Sequence, residues 1–288
     1  MHDQAEQLRE RLQRNVTSRP TRLVTVTSGK GGVGKSNFSL NFALGLIERG
    51  QKVIVLDVDL GLANLDVLMG ITPKKHLLHL LEPGQSVWDI IEQGPNGLEF
   101  IAGGSGFTQI LQFDEGKLEQ FFRRLEELQG YADTIFLDTG AGISKESMRF
   151  MLSSDEVIVV TTPEPTAITD AYAVIKMVHS QNPTATIRLV INRATSRAEG
   201  RYTAEKLAMV AKQFLNMEIS TLGFVPDDVH VSKAVKQQRP FLLTYPQSHA
   251  ARGIRELVDA YLGSAATPEP SEHGGLRGFL TKLKQYIR

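Results

Sequence analysis

Cysteine is absent from all 288 residues. Disulfides, thiolate zinc sites and iron–sulfur clusters held by the chain's own ligands are therefore excluded. An excess of either charge is also missing, since 32 Lys and Arg balance 32 Asp and Glu. Nothing global in the electrostatics points to DNA or RNA, and no nucleic-acid partner is expected. The 7 histidines are scattered, none at metal-ligand spacing from another. No apolar run approaches the roughly 20 residues of a membrane span, and the opening MHDQAEQLRE has no apolar core of signal-peptide length. The expected location is the cytoplasm.

What the chain does contain is a repeated alternation of strand and helix patterns. Apolar, β-rich runs occur at RLVTVTS (22–28), VIVLD (53–57), LEFIAG (98–103), TIFLD (134–138), EVIVVTT (156–162), TIRLVIN (186–192) and ISTLGFV (219–225). They are nearly continuous rather than alternating, as suits strands buried on both faces of a mostly parallel sheet. Between them, NFSLNFALGLIERG and DEGKLEQFFRRLEELQG carry apolar residues three and four apart and finish at a glycine that can close a helix. Residues 21–262 are thus expected to form a single doubly wound α/β domain. The small, polar, Pro- and Gly-containing stretch 263–275 reads as a flexible linker. Residues 1–20 and 276–288 are left as appendages.

The first run leads into TSGKGGVGKSN, a phosphate loop of the form Gly29-x-x-x-x-Gly34-Lys35-Ser36 that opens a predicted helix. Gly29, Gly31, Gly32 and Gly34 let backbone N–H groups turn inward, and Val33, Lys35, Ser36 and Asn37 complete the candidate phosphate cradle. Lys35 is placed for the β and γ phosphates and Ser36 for Mg²⁺. A carboxylate for the metal is needed at the end of another strand, and LDTGAG supplies Asp138, followed by Gly140 and Gly142 in a loop able to sense the γ phosphate. In VIVLDVDLGLANLD, Asp57 and Asp59 stand two apart and can face one side. Asp57 is assigned to the metal shell and Asp59 to the attacking water, although such acids also cap a following loop or helix.

The base is read less directly. A guanine-reading N-K-x-D is missing, whereas Asn192 at the end of the sixth run can both donate to and accept from an adenine edge. Arg193 beside it, with Val225, Pro226 and Asp227 at the end of the last run, are the other candidates for the adenine wall. ATP, ADP and Mg²⁺ are the expected ligands.

The loop holds one lysine more than phosphate binding needs. With Lys30 in KGGVGKS, and with DVDLGLANLDVLMG, LDTGAG and INR, the chain resembles the deviant-Walker ATPases of the MinD/ParA group. The resemblance implies that Lys30 reaches the phosphates of a partner subunit, so that ATP brings two copies together, and that Lys30, Lys35 and Asp59 are the catalytic set. A cation there can counter charge on the phosphates during transfer. DQAEQLR (3–9), TTPEPTAITDAYAVIK (161–176) and SKAV (232–235) further resemble the FlhG family, also called FleN or YlxH, of flagellum number and placement regulators. That resemblance, which covers nearly the whole chain, implies stimulation of an FlhF-type GTPase by the N-terminal element and contact with flagellar C-ring components. Within the element, Asp3, Gln4, Leu8 and Arg9 are the residues expected to act on the GTPase. A DNA-partitioning ATPase of the ParA type and a cell-division site regulator of the MinD type are the alternatives.

The tail GLRGFLTKLKQYIR sets Leu276, Phe279, Leu280, Leu283 and Ile287 at helical spacing among Arg277, Lys282, Lys284 and Arg288. This pattern suits a membrane-targeting helix at an anionic lipid surface, and the alternative is a terminal helix docked on the core. One tail binds lipid weakly; an ATP-joined pair would bind much more strongly through effective concentration. The expectation is a cytoplasmic monomer that becomes a peripheral membrane dimer.

Overall fold

The computed structural model describes residues 20–59, 64–103, 114–264 and 274–287. Within these, eight strands form one sheet: β1 (Arg22–Thr27), β2 (Val53–Val58), β3 (Glu92–Gln93), β4 (Glu99–Ile101), β5 (Thr134–Thr139), β6 (Glu156–Thr161), β7 (Ile187–Ala194) and β8 (Ser220–Pro226). Their spatial order is β3-β4-β2-β5-β1-β6-β7-β8, and every neighbouring pair is parallel except β3 with β4. The two-residue β3 is too short to be read from the sequence pattern. The helices are α1 (Lys35–Glu48), α2 (Leu65–Met69), α3 (Glu115–Leu125), α4 (Lys145–Ser153), α5 (Pro165–Gln181), α6 (Arg197–Leu215), α7 (Val229–Lys236), α8 (Phe241–Thr244), α9 (His249–Ser264) and α10 (Gly275–Ile287).

Successive side chains of a strand point to opposite faces, and here both faces are covered. Val24 and Val26 join Val53 and Val55 in the cluster beneath α1 and α9, while Leu23, Ile54 and Leu56 enter a second cluster on the other face. A third cluster, containing Val157, Val159, Leu189 and Ile191, lies under α5 and α6. This double coverage is why the strands look uniformly apolar in the sequence. The domain is therefore a doubly wound α/β layer sandwich, with β5 beside β1 and β2 beside β5 at its centre.

The tail departs from its placement outside the domain. Leu276, Phe279, Leu280 and Leu283 are buried in the second cluster, with Ile287 packed against it. Arg277 pairs with Glu126 at 2.5 Å and Lys284 with Glu119 at 3.6 Å along the rim. Gly275 N–H donates to Asp155, whose other oxygen accepts from Leu23 N–H, so the start of α10 is fastened to the start of β1. Periodicity correctly identified the apolar stripe but could not tell a protein surface from a lipid one. The N-terminal residues Asp3, Gln4, Leu8 and Arg9 lie outside the described residues, as does most of the 263–275 linker.

At the same end of the sheet, Glu156 is fully buried between Arg22 at 2.5 Å and Arg188 at 2.7 Å. Burial pushes its carboxyl up, against the pull of the two guanidinium groups. Both arginines also lie over the Tyr261 ring, at 5.5 and 5.4 Å. Removing only the carboxylate would leave two cations without their anion. Glu156→Ala is expected to lower the unfolding free energy by about 3–5 kcal/mol, measured by urea denaturation.

Candidate functional site

A parallel sheet delivers the C-terminal ends of its strands, and the loops that follow them, to one edge. β1 leads there into the phosphate loop, β2 into Asp57 and Asp59, β5 into Asp138 and β7 into Asn192. The loop's glycines are required by contact as well as by conformation. A Cβ on Gly29 would stand 2.2 Å from the Asp170 backbone of α5. Gly34 has φ +88°, and a Cβ there would meet the Asn192 side chain at 2.4 Å. The loop is thus wedged between α5 and β7 before it turns into α1.

Lys35 and Asp138 form the buried centre. Lys35 Nζ lies 2.9 Å from Asp138 Oδ2, with the two side chains only 6% and 0% exposed. The same ammonium donates to Ser36 Oγ at 3.1 Å. Ser39 Oγ, one helical turn further along α1, donates to Asp138 Oδ1 at 2.6 Å. Asp138 Oδ2 thus faces the ammonium while Oδ1 takes the serine hydroxyl.

Asp57 is in register with Asp138 on the adjacent strand. Burial first, and the Asp138 charge second, push its carboxyl up to about 7. Its oxygens accept from the backbone N–H groups of Asp59 at 3.0 Å and Asn64 at 3.3 Å. In this arrangement Asp57 holds its own loop, the capping role that the sequence left open. Asp59 is partly buried, accepts from Asn64 Nδ2 at 3.4 Å, and reaches to 3.2 Å of the position a Cβ on Gly140 would take. The Gly140 loop is in turn tied to the phosphate loop by Gly142 N–H donating to Ser28 O at 2.8 Å. Asp59 therefore stands between the second strand's loop and the loop expected to sense the γ phosphate.

These groups pass a simple test for Mg²⁺. Two buried carboxylates, Asp57 and Asp138, stand side by side on adjacent strands with the Lys35 ammonium on Asp138. Ser36 Oγ and Asp138 offer the hard oxygen donors the ion prefers. Among the described residues no group of three or more His, Cys, Asp or Glu is placed to hold a metal ion by itself. The remaining ligands would come from phosphate and water, as is usual for this cation.

Lys30 behaves differently from Lys35. Its Nζ lies 3.3 Å from Glu164 and 3.0 Å from Thr166 Oγ1 at the start of α5, and its side chain is 40% exposed. Neither partner was identified from the sequence, although both sit in the TTPEPT stretch. Asn192 was read as a base reader, yet its amide N–H₂ donates to Val33 O at 2.7 Å and braces the phosphate loop. Val225 and Pro226 lie beside Asn192 and Ala194 in the β7–β8 register, and Asp227 pairs with Arg193 at 3.7 Å. Arg193 holds φ +57°, a strained backbone conformation for a side-chain-bearing residue. The candidate adenine residues therefore converge, but Asn192 is already engaged with the loop. Helical spacing from Lys35 would have exposed Ser39, which was overlooked.

The chain is similar to known proteins over most of its length. The ParA family, described as NUBPL iron-transfer P-loop NTPase, matches residues 19–262. The antiactivator FleN of Pseudomonas aeruginosa is 35% identical over 271 residues, which is 93% of this chain and 95% of that protein. The flagellum site-determining protein YlxH of Helicobacter pylori is 38% identical over 273 residues, covering 93% of this chain and 91% of its own. Among solved structures, the septum site-determining protein MinD of Pyrococcus horikoshii, complexed with Mg-ADP, superposes with TM-score 0.68 at 27% identity, covering 85% of this chain and 98% of that one.

The elevated Asp57 carboxyl has a consequence for stability. Between about pH 4, where an aspartate ionises in the unfolded chain, and about pH 7, the folded state binds more protons, so stability falls as pH rises. Thermal melts of nucleotide-free protein across this window should show a smaller decline for Asp57→Asn than for the wild type.

Proposed function

The chain belongs to the ParA family of P-loop NTPases, and from that premise we propose an ATP-hydrolysing, dimerising switch that regulates flagellar number and placement. The observation that carries the proposal is the contrast between two lysines of one loop. Lys35 is buried on Asp138, whereas Lys30 is half-exposed and, among the described residues, held at the start of α5. A buried ammonium serves the phosphates of its own subunit. An exposed one, on a long flexible stem and with a weak surface partner, is available to a neighbour's phosphates. Dimerisation would then report ATP occupancy.

In the hydrolytic step, Lys35 exchanges Asp138 for phosphate oxygens while the backbone of residues 29–36 surrounds them. Asp59, held beside Gly140, positions the attacking water. Mg²⁺, held by Ser36 with Asp138 in support, would supply charge neutralisation at the phosphates. Arg193, Val225, Pro226 and Asp227 would flank the adenine, with Asn192 joining the base only if its amide serves loop and base together.

Membrane attachment on this reading requires α10 to leave its groove. Each fully buried apolar side chain contributes about 1.5–3 kcal/mol, and insertion into lipid recovers much of what undocking forfeits. The exchange is therefore close to balanced, and pairing two tails in one dimer tips it towards the bilayer. The flagellar assignment is supported by the likeness to FleN and YlxH. Stimulation of an FlhF-type GTPase by Asp3, Gln4, Leu8 and Arg9, and contact with C-ring components, rest on the same likeness.

The test is light scattering and co-sedimentation with anionic vesicles in ADP and in ATP, using wild type, Lys30→Ala and Asp59→Ala, with hydrogen exchange across residues 275–287. ATP-dependent dimers that bind vesicles, are trapped by Asp59→Ala, are lost in Lys30→Ala and lose amide protection in α10 are expected. Equal vesicle binding in both nucleotides, or retention of ATP-dependent dimers by Lys30→Ala, would overturn the switch.

A further inference from the structure

We propose that Ser39 is a positioning residue for the metal-supporting carboxylate, holding Asp138 in orientation when Lys35 leaves it for phosphate; this rests on the reading of Asp138 given above. The Ser39 side chain is completely buried, and its hydroxyl has one proton for two nearby acceptors. Asp138 Oδ1 lies at 2.6 Å and Lys35 O at 3.2 Å. The closer acceptor is also the charged one, so the proton belongs to the carboxylate.

Asp138 thus has a different partner on each oxygen. Oδ2 faces the Lys35 ammonium at 2.9 Å, and Oδ1 faces Ser39. When nucleotide draws the ammonium to phosphate, the first restraint disappears at the moment the carboxylate must present an oxygen towards the cation. Among the described residues, Ser39 is then the remaining side-chain donor to Asp138. A terminal carboxylate torsion is intrinsically broad, and the in-register Asp57 lies alongside as a neighbouring acid. Without the hydroxyl, Asp138 has freedom to turn as its lysine departs. Fixing the orientation of a supporting carboxylate is how groups beyond the direct ligands raise metal affinity.

The placement follows from the helix. Ser39 is four residues after Lys35, so it stands one turn below the phosphate-binding lysine on the same face. A hydroxyl that only back-bonded to the helix carbonyl would affect α1 and nothing else. The distinction is measurable without turnover.

The experiment titrates Mg²⁺ into full-length protein with a fluorescent ADP analogue, alongside binding in EDTA, for wild type, Ser39→Ala, Ser39→Thr and Asp138→Asn. Ser39→Ala should raise the half-saturating Mg²⁺ concentration about tenfold or more, leave the affinity in EDTA unchanged, and be rescued by Ser39→Thr. Circular dichroism melts establish that each variant is folded. An unchanged Mg²⁺ midpoint in Ser39→Ala, with a shifted one in Asp138→Asn, would overturn the role of Ser39 alone. Equal weakening of binding with and without Mg²⁺ would make Ser39 merely structural. An unshifted midpoint in Asp138→Asn would remove the reading of Asp138 and this proposal with it.

Discussion

The Lys35–Asp138 contact is the interaction around which the edge of the sheet is arranged. An ammonium and a carboxylate almost without solvent access must neutralise one another, since an unpaired charge there would be strongly destabilising. The fold meets that demand by placing β5 beside β1, so that the aspartate ending one strand lies against the lysine opening α1 after the other. Asp57 arrives on β2, directly alongside, and its carboxyl is raised first by burial and second by the Asp138 charge that Lys35 already satisfies. The same adjacency that makes Asp57 costly in the free protein gives an incoming cation its favourable field. Stability of the resting form and readiness for ligand pull in opposite directions at one place.

Much of this was legible in the sequence. The phosphate loop announces itself because its glycines, lysine and serine occur in fixed order between a strand and a helix. The doubly buried strands reveal themselves through uninterrupted apolar runs. Asp57, Asp59 and Asp138 stand out in the sequence because they lie at or just past the ends of such runs. What escaped depends on contacts distant in sequence. The partners of Lys30 lie on α5, more than a hundred residues away, and Asn192 reaches back to Val33 from β7.

The tail illustrates a different limit. Leu276, Phe279, Leu280 and Leu283 repeat at intervals that give one apolar stripe, and a stripe specifies only that something non-aqueous covers it. The positive side chains beside it resemble a lipid-binding helix, yet Arg277 and Lys284 find Glu126 and Glu119 on the domain itself. Charge pattern and hydrophobic spacing are therefore satisfied equally by a bilayer and by this groove. In this structure the domain supplies that cover, with the apolar stripe in the second cluster and the two rim cations on its acids. The small strand β3 was missed for a simpler reason, since two residues carry no periodicity.

The seating of α10 against β1 also bears on how the molecule comes to be folded. β1 is the first described strand and α10 the last described helix, so their contact closes a loop comprising most of the chain. Such closure carries the entropy of bringing distant segments together and is rewarded only after the intervening sheet exists. The helix shares its buried cluster with Leu23, Ile135 and Phe121, so an undocked α10 would leave that cluster without part of its apolar cover. Chains caught at that stage would present a surface suited to unproductive self-association. Conditions that slow the final docking should therefore govern recovery from denaturant more strongly than changes at the phosphate loop.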